Sequence, residues 1–434
     1  MRRRKSGSNF GATIIPDFKE YRRIMLRRLG RLPKFTQLLL CLSLVLSILL
    51  YGWLIYTLLT SPFQNDAFTE RDKCPACYGT HLCQSFSQGQ MSFSGAFRFP
   101  FLHFLSLKNV FPGYYGDRQV VFKRLAHTSE LQAFDERLCL KGGDPMDCDV
   151  AESVKKVSSP TTKWLMQRLK GQSDMMACPT ERLMETIYHY YIEKIDAVDL
   201  SAAEKLQLMT TLLINPEPII IQTFSQKQGF PFPQYLGACG RIVVEEYVGH
   251  SMRSYYDAPW KVRLKLAYQV MKLADRLTDN SMQFSLYWLD ISYDNLAVDK
   301  QGYVRIVDAE NVIVVDKWQI KQDKKEGWDE PFYAEFDECR NHQGTCIHVF
   351  PDLLCDKYVS DFNYYAVCRN LLSSYANDGR YVGGLLHDIP GDIENRYNLS
   401  HLLSECAKPK EDGIRLKVKD ELLEIFRSLN REYT

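Results

Sequence analysis

The hydrophobic pattern of the chain begins with one long uncharged run. Residues 38–59 read LLLCLSLVLSILLYGWLIYTLL and contain no charged side chain. At a rise of about 1.5 Å per residue, a helix of this length crosses a hydrocarbon core of about 30 Å. A cleaved signal peptide has a shorter apolar run, and a buried core helix has a polar stripe. The pattern therefore predicts a transmembrane signal anchor.

Short runs typical of strands follow the anchor. Three of them are MSFSGAFRF, FLSLKNVF and RQVVFKRL, at residues 91–99, 104–111 and 118–125. A stretch of helical character covers residues 126–214. After it, EPIIIQTF at 217–224 and GRIVVEEYV at 240–248 predict two more strands. The first half of the chain beyond the anchor is therefore expected to be rich in strands.

The hydrophobic period becomes helical after Gly249. VRLKLAYQVMKLADRL, at 262–277, places four apolar residues on one stripe: Leu266, Val270, Leu273 and Leu277. A strand-rich half followed by a helix-rich half predicts an α+β fold of two lobes. The expected organisation is a tail at 1–37, the anchor at 38–59, a stem at 60–88, a first lobe at 89–248 with an insertion at about 126–198, and a second lobe at 249–434.

Composition and charge add an orientation. A hydrophobic content of 45% is that of a globular protein, and a net charge of +1 predicts no nucleic-acid partner. Residues 1–34 carry eleven Lys and Arg against Asp17 and Glu20. By the positive-inside rule this tail stays in the cytosol, and the rest of the chain is lumenal. Asn398 begins a glycosylation sequon, which is usable only in the lumen.

Cysteine usage agrees with a lumenal location. Of thirteen cysteines, Cys41 lies in the anchor and twelve lie beyond it. In an oxidising compartment these twelve predict up to six disulfides, whose pairing the sequence leaves open. Cys74 and Cys77 are spaced as half of a zinc site or as a redox pair. No second C-x-x-C completes a zinc ligand set.

The candidate chemistry lies in LYWLDISYDNLAVDKQGYVRIVDAEN, residues 286–311. Asp290 opens a loop, Asn295 ends it, and the turn KQG predicts a hairpin that returns Asp308 to the same end as Asn295. Carboxylate and amide oxygens can hold Mg²⁺, which keeps several waters. The stretch therefore predicts a shared cation site, and an ordinary hairpin with polar tips is the alternative.

The order of the surrounding motifs resembles that of protein kinases. The loop is similar to H-R-D-x₄-N, so that Asp290 corresponds to the catalytic base and Asn295 to a metal ligand. Asp308 stands where kinases have the aspartate of D-F-G, and VVFK, ending in Lys123, resembles the strand lysine. The resemblance also implies adenine contacts at IVVEEYV, with Glu245 and Glu246, and a brace for the catalytic loop at SDFNYYAVCRNLL, with Asp361.

Further motifs narrow the resemblance. DKCPACYGT, NPEPIIIQTF, YLGACGR, WLDISYDNLAV and VDAENV are similar to the secretory-pathway divergent protein kinase domain family, and most of all to its deleted-in-autism branch, divergent protein kinase domain 2. This resemblance implies a kinase-like fold in the lumen of the Golgi or endoplasmic reticulum, with release as a secreted form as an option. It also implies ATP with Mg²⁺ or Mn²⁺ as cofactors and a lumenal or secreted protein, or a glycan, as acceptor.

The acidic partner of Lys123 is open from the sequence. Glu204 lies on a helix that runs into EPIIIQTF, as the kinase αC helix runs into its next strand, and is the favoured candidate. Ser201 and Glu204 also match a capping box, in which Glu204 only caps its own helix. Glu130, shortly after Lys123, is the second candidate.

Some kinase features are missing. No G-x-G-x-x-G lies on the first strands, Glu310 stands where D-F-G has its glycine, and residues 311–350 match no acceptor pattern. Three functions therefore stay in competition: an active lumenal kinase, a pseudokinase that regulates another lumenal enzyme, and a secreted or shed signalling ligand that uses the fold as a scaffold.

Overall fold

The computed structural model describes residues 33–59, 63, 66–98, 109–156, 170–336, 350–377, 381 and 383–433. The chain divides into two compact units, Met1–Ser61 and Pro62–Thr434.

The first unit contains one described helix, α1, Lys34–Leu59. Its segment Lys34–Ile55 has a mean hydropathy of 2.5 and is the one helix in the described part of the chain that is long and apolar enough to cross a membrane. The hydroxyls of Ser43 and Ser47 donate to backbone carbonyls one turn back, at 3.0 and 2.8 Å, so they need no water. The helix is consistent with a single-span membrane protein.

The second unit begins with short helices and a sheet. Helices α2 and α3 are Asp66–Thr69 and Cys83–Ser87. The five described strands of this sheet are antiparallel in the order β1-β2-β3-β5-β4, and they are β1 Met91–Phe93, β2 Val110–Tyr115, β3 Arg118–Lys123, β4 Tyr235–Cys239 and β5 Ile242–Glu246. The register places Val121 opposite Glu245 and Lys123 opposite Val243.

The sheet confirms part of the strand prediction. β3 and β5 lie where RQVVFKRL and GRIVVEEYV predict them, whereas β1 ends early and a 3₁₀ turn follows at Gly95–Arg98. Most of FLSLKNVF lies outside the described residues. The sequence pattern did not predict β4.

Residues predicted as a polar stem pack against the sheet. Phe86 lies in an apolar cluster with Phe93 and Phe122, and the backbone N–H of Leu82 donates to the carbonyl of Ala238 at 3.0 Å. The part of the predicted stem that hydrogen-bonds to β4 therefore belongs to the folded unit.

Helices connect β3 to β4. They are α4 Thr128–Lys141, α5 Val150–Lys155, α6 Glu181–Ile195, α7 Ala202–Ile214 and α8 Glu217–Thr223. The strand predicted at EPIIIQTF is wrong, because this stretch is α8. Every residue of α8 is buried, so its apolar run has no polar face, and such a run is ambiguous between strand and helix. Pro218 in the first turn favours the helix, since its ring holds φ near the helical value.

The rest of the unit is mainly helical. The predicted stripe is confirmed: Leu266, Val270, Leu273 and Leu277 are all buried on helix α9, Trp260–Thr278. The described residues of this part also form two small sheets, one pairing β7 with β10 and one ordered β6-β8-β9. Their strands are β6 His250–Ser251, β7 Phe284–Trp288, β8 Leu296–Val298, β9 Val304–Ile306 and β10 Val312–Asp316. The later helices are α10 Lys317–Asp323, α11 Asp352–Cys355, α12 Phe362–Val367, α13 Gly391–Tyr397, α14 Leu399–Ala407 and α15 Ile414–Glu432.

Disulfides join distant parts of this unit. Within the described residues the pairs are Cys74–Cys77, Cys83–Cys239, Cys139–Cys148, Cys178–Cys355 and Cys368–Cys406. Cys339 and Cys346 lie outside those residues. The zinc alternative for Cys74 and Cys77 does not hold, because the two sulfurs are bonded to each other. Disulfides persist in oxidising compartments, so these bonds are consistent with the secretory pathway.

Candidate functional site

A cleft of about 1390 Å³ lies between the five-stranded sheet and the β8–β9 hairpin. The sheet side of its wall includes Lys123 and Glu245. The opposite side includes Asp290, Asn295 and Asp308. The fold thus brings to one cleft the charged residues that the sequence singles out at widely separated positions.

Lys123, at the end of β3, is held by three oxygen atoms. Its Nζ lies 2.9 Å from Oε1 of Glu217, 2.9 Å from Oε2 of Glu245 and 2.7 Å from the carbonyl oxygen of Val307. The lysine and glutamate side chains are 9%, 3% and 2% exposed, respectively. Burial disfavours the charged form of Lys123, but the carboxylates of Glu217, Glu245 and Asp308 outweigh it, so its pKa lies above the usual range.

Both glutamates are affected by the same burial. Desolvation raises the pKa of Glu217 and of Glu245, and the nearby charge of Lys123 opposes that shift without cancelling it. One ammonium group therefore serves two buried carboxylates.

The acidic partner of Lys123 differs from the one that the sequence predicts. Glu204, the favoured candidate, caps its own helix: the backbone N–H of Ser201 donates to its Oε2 at 2.7 Å. Glu130 does the same at α4, where it accepts from the backbone N–H of His127 at 2.6 Å. Glu217 occupies the position against Lys123 because α8, and not the start of α7, packs beside the sheet.

A local signal for Glu217 was present in the sequence. The side-chain oxygen of Asn215 accepts from the backbone N–H of Glu217 at 3.0 Å, and Pro218 follows in the first turn. An Asn before a Pro-containing first turn is typical of a helix start. NPEP therefore indicated a helix beginning at this glutamate.

The two residues predicted to contact adenine both line the cleft. The carboxylate of Glu245 faces Lys123. The carboxylate of Glu246 lies 3.6 Å from Arg118 and accepts from the backbone N–H of Gln234 at 3.2 Å. Their side chains thus interact with the protein itself, and a role in cofactor binding stays a prediction.

The predicted hairpin is confirmed, and it sets the geometry of Asp290, Asn295 and Asp308. β8 pairs with β9, and the backbone N–H of Val307 donates to the carbonyl of Asn295 at 2.9 Å. The side-chain amide nitrogen of Asn295 donates to Asp290 twice, to its carbonyl at 3.0 Å and its Oδ2 at 2.7 Å. The side-chain oxygen of Asn295 therefore points away from Asp290. Asn295 and Asp308 lie at the same end of the β8–β9 hairpin.

Glu310 couples this hairpin to α8. Its carboxylate accepts from the side-chain amide of Asn215, and the backbone N–H of Ala309 donates to Oε1 of Glu217 at 3.2 Å. Burial first, and then the negative charge of Asp308, raises the pKa of Glu310 to about 7. Glu310, which stands where D-F-G has its glycine, is thus held in place close to Asp308.

The predicted brace for the catalytic loop is also corrected. Asp361 accepts from the backbone N–H of Ala334 at 2.7 Å and from the guanidinium of Arg415, so its described partners lie outside the loop. The loop is contacted instead by Asn370, whose amide donates to the carbonyl of Ile291 at 3.1 Å. Asn363 accepts from the backbone N–H of Trp288, at the end of β7 just before the loop, at 3.2 Å. Asp361 lies one residue before α12, whereas Asn363 lies in α12 and Asn370 lies in the π-helical turn Cys368–Leu372 that follows it.

The donor set fits a divalent cation bound together with phosphates. Among the described residues, no group of three or more His, Cys, Asp or Glu side chains is arranged to hold a metal alone. Asn295 and Asp308 offer two oxygen-bearing side chains at one strand end, and Mg²⁺ commonly binds through one or two protein ligands plus phosphates and water. Apolar side chains line the same cleft, among them Val110, Val121 and Ala297, and would suit the face of a base.

Asn398 lies apart from the cleft. It is exposed between α13 and α14, in the left-handed conformation with φ of 50°. The sequon is therefore accessible, and its use stays a prediction.

Comparison with known proteins supports the kinase-like assignment. Residues 209–409 match the family described as the protein-kinase domain of FAM69. Over 424 residues the chain is 40% identical to divergent protein kinase domain 2A of Xenopus tropicalis, which covers 93% of this chain and 97% of that protein. Over 430 residues it is 38% identical to divergent protein kinase domain 2A of Homo sapiens, which covers 94% and 99%. With such identity over nearly the whole length of both relatives, this chain belongs to the divergent protein kinase domain family.

Proposed function

We propose that the protein transfers a phosphoryl group from ATP, with Mg²⁺ or Mn²⁺, to a hydroxyl group of a secretory-pathway protein or glycan. In this proposal the sheet-containing part and the helical part are the two lobes of a kinase fold. Lys123 and Glu217 form the lysine–glutamate pair, Asn295 and Asp308 hold the cation, and Asp290 accepts the proton of the acceptor hydroxyl.

The observation that carries the proposal is the meeting of these groups in one cleft. Phosphoryl transfer needs little covalent chemistry from a protein and depends on positioning and charge stabilisation. The bound cation would neutralise charge on the transferred group. Asp290 and Asn295 are hydrogen-bonded to each other, so the proton acceptor and a cation ligand are held in a fixed relation.

Nucleotide binding is the first test. The full-length chain, purified in detergent, is heated with ATP and either Mg²⁺, Mn²⁺ or a chelator, and its melting temperature is followed. A ligand present at 100 times its dissociation constant stabilises a folded protein by about 2.7 kcal/mol. We expect stabilisation with ATP and a cation together. No shift with any metal would rule out the enzyme and any nucleotide-dependent regulator.

Phosphate incorporation is the second test, since it separates an enzyme from a pseudokinase. The pseudokinase alternative is favoured by one observation. Three oxygen atoms of the protein already surround the ammonium group of Lys123, which would otherwise donate to a phosphate. If ATP binds but labelled phosphate reaches neither the chain itself nor any secreted protein or glycan offered, the regulator is the better reading. A secreted signalling ligand would need neither nucleotide binding nor phosphate transfer.

A lumenal orientation is part of the proposal, supported by the basic tail, the apolar helix and the disulfides. Protease added to intact microsomes should digest only the N-terminal tail. Asn398 should carry a glycan that endoglycosidase removes, and Asn398→Gln should abolish the mobility shift. Digestion of the C-terminal domain in intact microsomes would contradict this orientation.

A further inference from the structure

The ammonium group of Lys123 donates hydrogen bonds to two oxygen atoms and forms an ion pair with a third. A lysine ammonium carries three N–H groups and no acceptor. Glu217, Glu245 and Val307 each place an oxygen atom within 2.9 Å of Nζ. A phosphate oxygen can therefore reach Lys123 only if one of these contacts opens.

The charges around Lys123 also oppose a phosphate. Two carboxylates face one ammonium group, and all three side chains are nearly inaccessible to solvent. If both carboxylates are ionised, this cluster has a net negative charge. A like charge brought close to it in a poorly solvated site is repelled more strongly than in water. A triphosphate gains less here than it would beside an isolated lysine–glutamate pair.

The three contacts differ in how firmly they are anchored. Glu217 also accepts from the N–H of Ala309 at 3.2 Å, and its own backbone N–H is capped by Asn215. Val307 contributes a backbone oxygen of the strand-end segment. Glu245 contacts Lys123 through Oε2, whereas its Oε1 is buried and has no hydrogen-bond partner among the residues that the structure describes. Of the three, the Glu245 contact is therefore the one that can open at the lowest cost.

We propose that Glu245 is a specificity-determining residue that competes with nucleotide phosphates for Lys123 and so keeps the affinity for ATP low. Glu245 lies at the end of β5, opposite Val121 in the register, on the wall of the cleft. In this position the side chain blocks the lysine without closing the space for a base. This inference rests on the proposed nucleotide site. It adds that the contact between Glu245 and Lys123 limits the affinity of that site for ATP.

The test compares Glu245→Gln with Glu217→Gln in the full-length chain, using ATP and adenosine, each with Mg²⁺. Glu245→Gln keeps the shape of the side chain and removes its charge. We expect it to strengthen ATP binding at least about tenfold and to leave adenosine binding within about twofold, because adenosine has no phosphate to compete. Glu217→Gln should weaken ATP binding, because it removes the anchor that positions Lys123.

Opposite signs for the two glutamates are the diagnostic result. Equal weakening of ATP binding by both variants would overturn the inference, since it would mean that both residues merely position Lys123. An equal gain for adenosine would overturn it too, because the effect would then lie in the base pocket.

A measurement on the unsubstituted protein covers the case in which Glu245→Gln does not fold. If Glu245 blocks Lys123, the phosphates add little, and ATP should bind within about tenfold of adenosine. ATP binding more than about a hundredfold tighter than adenosine would overturn the inference while leaving the proposed function intact. If neither ligand binds, the proposed nucleotide site fails and this inference with it.

Discussion

The charged groups on the two sides of the cleft differ in burial and in what they face. On the sheet side, Lys123, Glu217 and Glu245 are buried and face one another. On the hairpin side, Asp290 and Asp308 are half-buried and line open space. Substitutions on the sheet side should therefore change stability and binding together, whereas substitutions on the hairpin side should change nucleotide binding or chemistry with little effect on folding.

Lys123→Met should have the largest effect. It leaves two buried carboxylates without a counter-ion, and breaking a buried pair costs about 3–5 kcal/mol. The melting temperature of the full-length chain measures this loss. Lys325→Met is the matched control, because Lys325 and Asp356 form an exposed pair, and such pairs contribute about 0–1 kcal/mol. Equal effects of the two substitutions would contradict the difference between buried and exposed groups.

The cost of Lys123→Met should depend on pH. Burial raises the pKa of Glu217 and Glu245, and removal of Lys123 takes away the charge that opposes this shift. An acid whose folded-state pKa exceeds its unfolded value stabilises the protonated native state, and that stability is lost as pH rises above the ordinary glutamate pKa of about 4.3. The difference from wild type should therefore be smaller near about pH 5 than near about pH 7.5. A difference that grows on acidification would contradict the assignment.

Asp290→Asn should act on chemistry alone. The amide keeps an oxygen that can accept from Asn295 but cannot take up a proton at neutral pH. General base catalysis contributes about 10²–10⁴-fold, which corresponds to about 3–5 kcal/mol of barrier. We expect phosphate incorporation to fall by this factor, with the ATP-induced shift in melting temperature unchanged. Loss of that shift would place Asp290 in nucleotide binding.

Asp308→Ala should remove the cation-dependent part of nucleotide binding. At 100 times the wild-type dissociation constant this is a loss of about 2.7 kcal/mol of ligand stabilisation. The melting temperature without ligand should change little, since Asp308 is half-buried. Asp356→Ala, on the surface, is the control. A Mg²⁺-dependent shift that survives in Asp308→Ala would exclude this residue as a necessary ligand.

Glu204→Ala should have the smallest effect of the series. Loss of a helix N-terminal capping interaction costs about 1 kcal/mol. Because Glu204 caps α7 and does not contact Lys123, ATP binding should be unchanged. Glu217→Gln in the same assay should weaken ATP binding. A stronger effect of Glu204 than of Glu217 on binding would restore the prediction made from the sequence.

The sequence by itself determined the parts of the protein that depend on local pattern. The uncharged run predicts α1, the period of 262–277 predicts α9, and the alternation around KQG predicts the hairpin that carries Asn295 and Asp308. Each of these three patterns lies within about twenty residues. Over such a length, the spacing of apolar side chains distinguishes a helix from a strand.

Only the tertiary structure decided the partners of the charged residues. Lys123 and Glu217 are 94 positions apart, and Lys123 and Val307 are 184 apart. The apolar run of α8 reads equally as a buried strand or a buried helix, so the sequence pattern placed its glutamate in the wrong element. Glu204 and Glu130 both have the right charge, but each is held by its own helix end. Which carboxylate reaches a buried lysine depends on which helix packs beside the sheet, because desolvation makes an unpaired charge there too costly to leave.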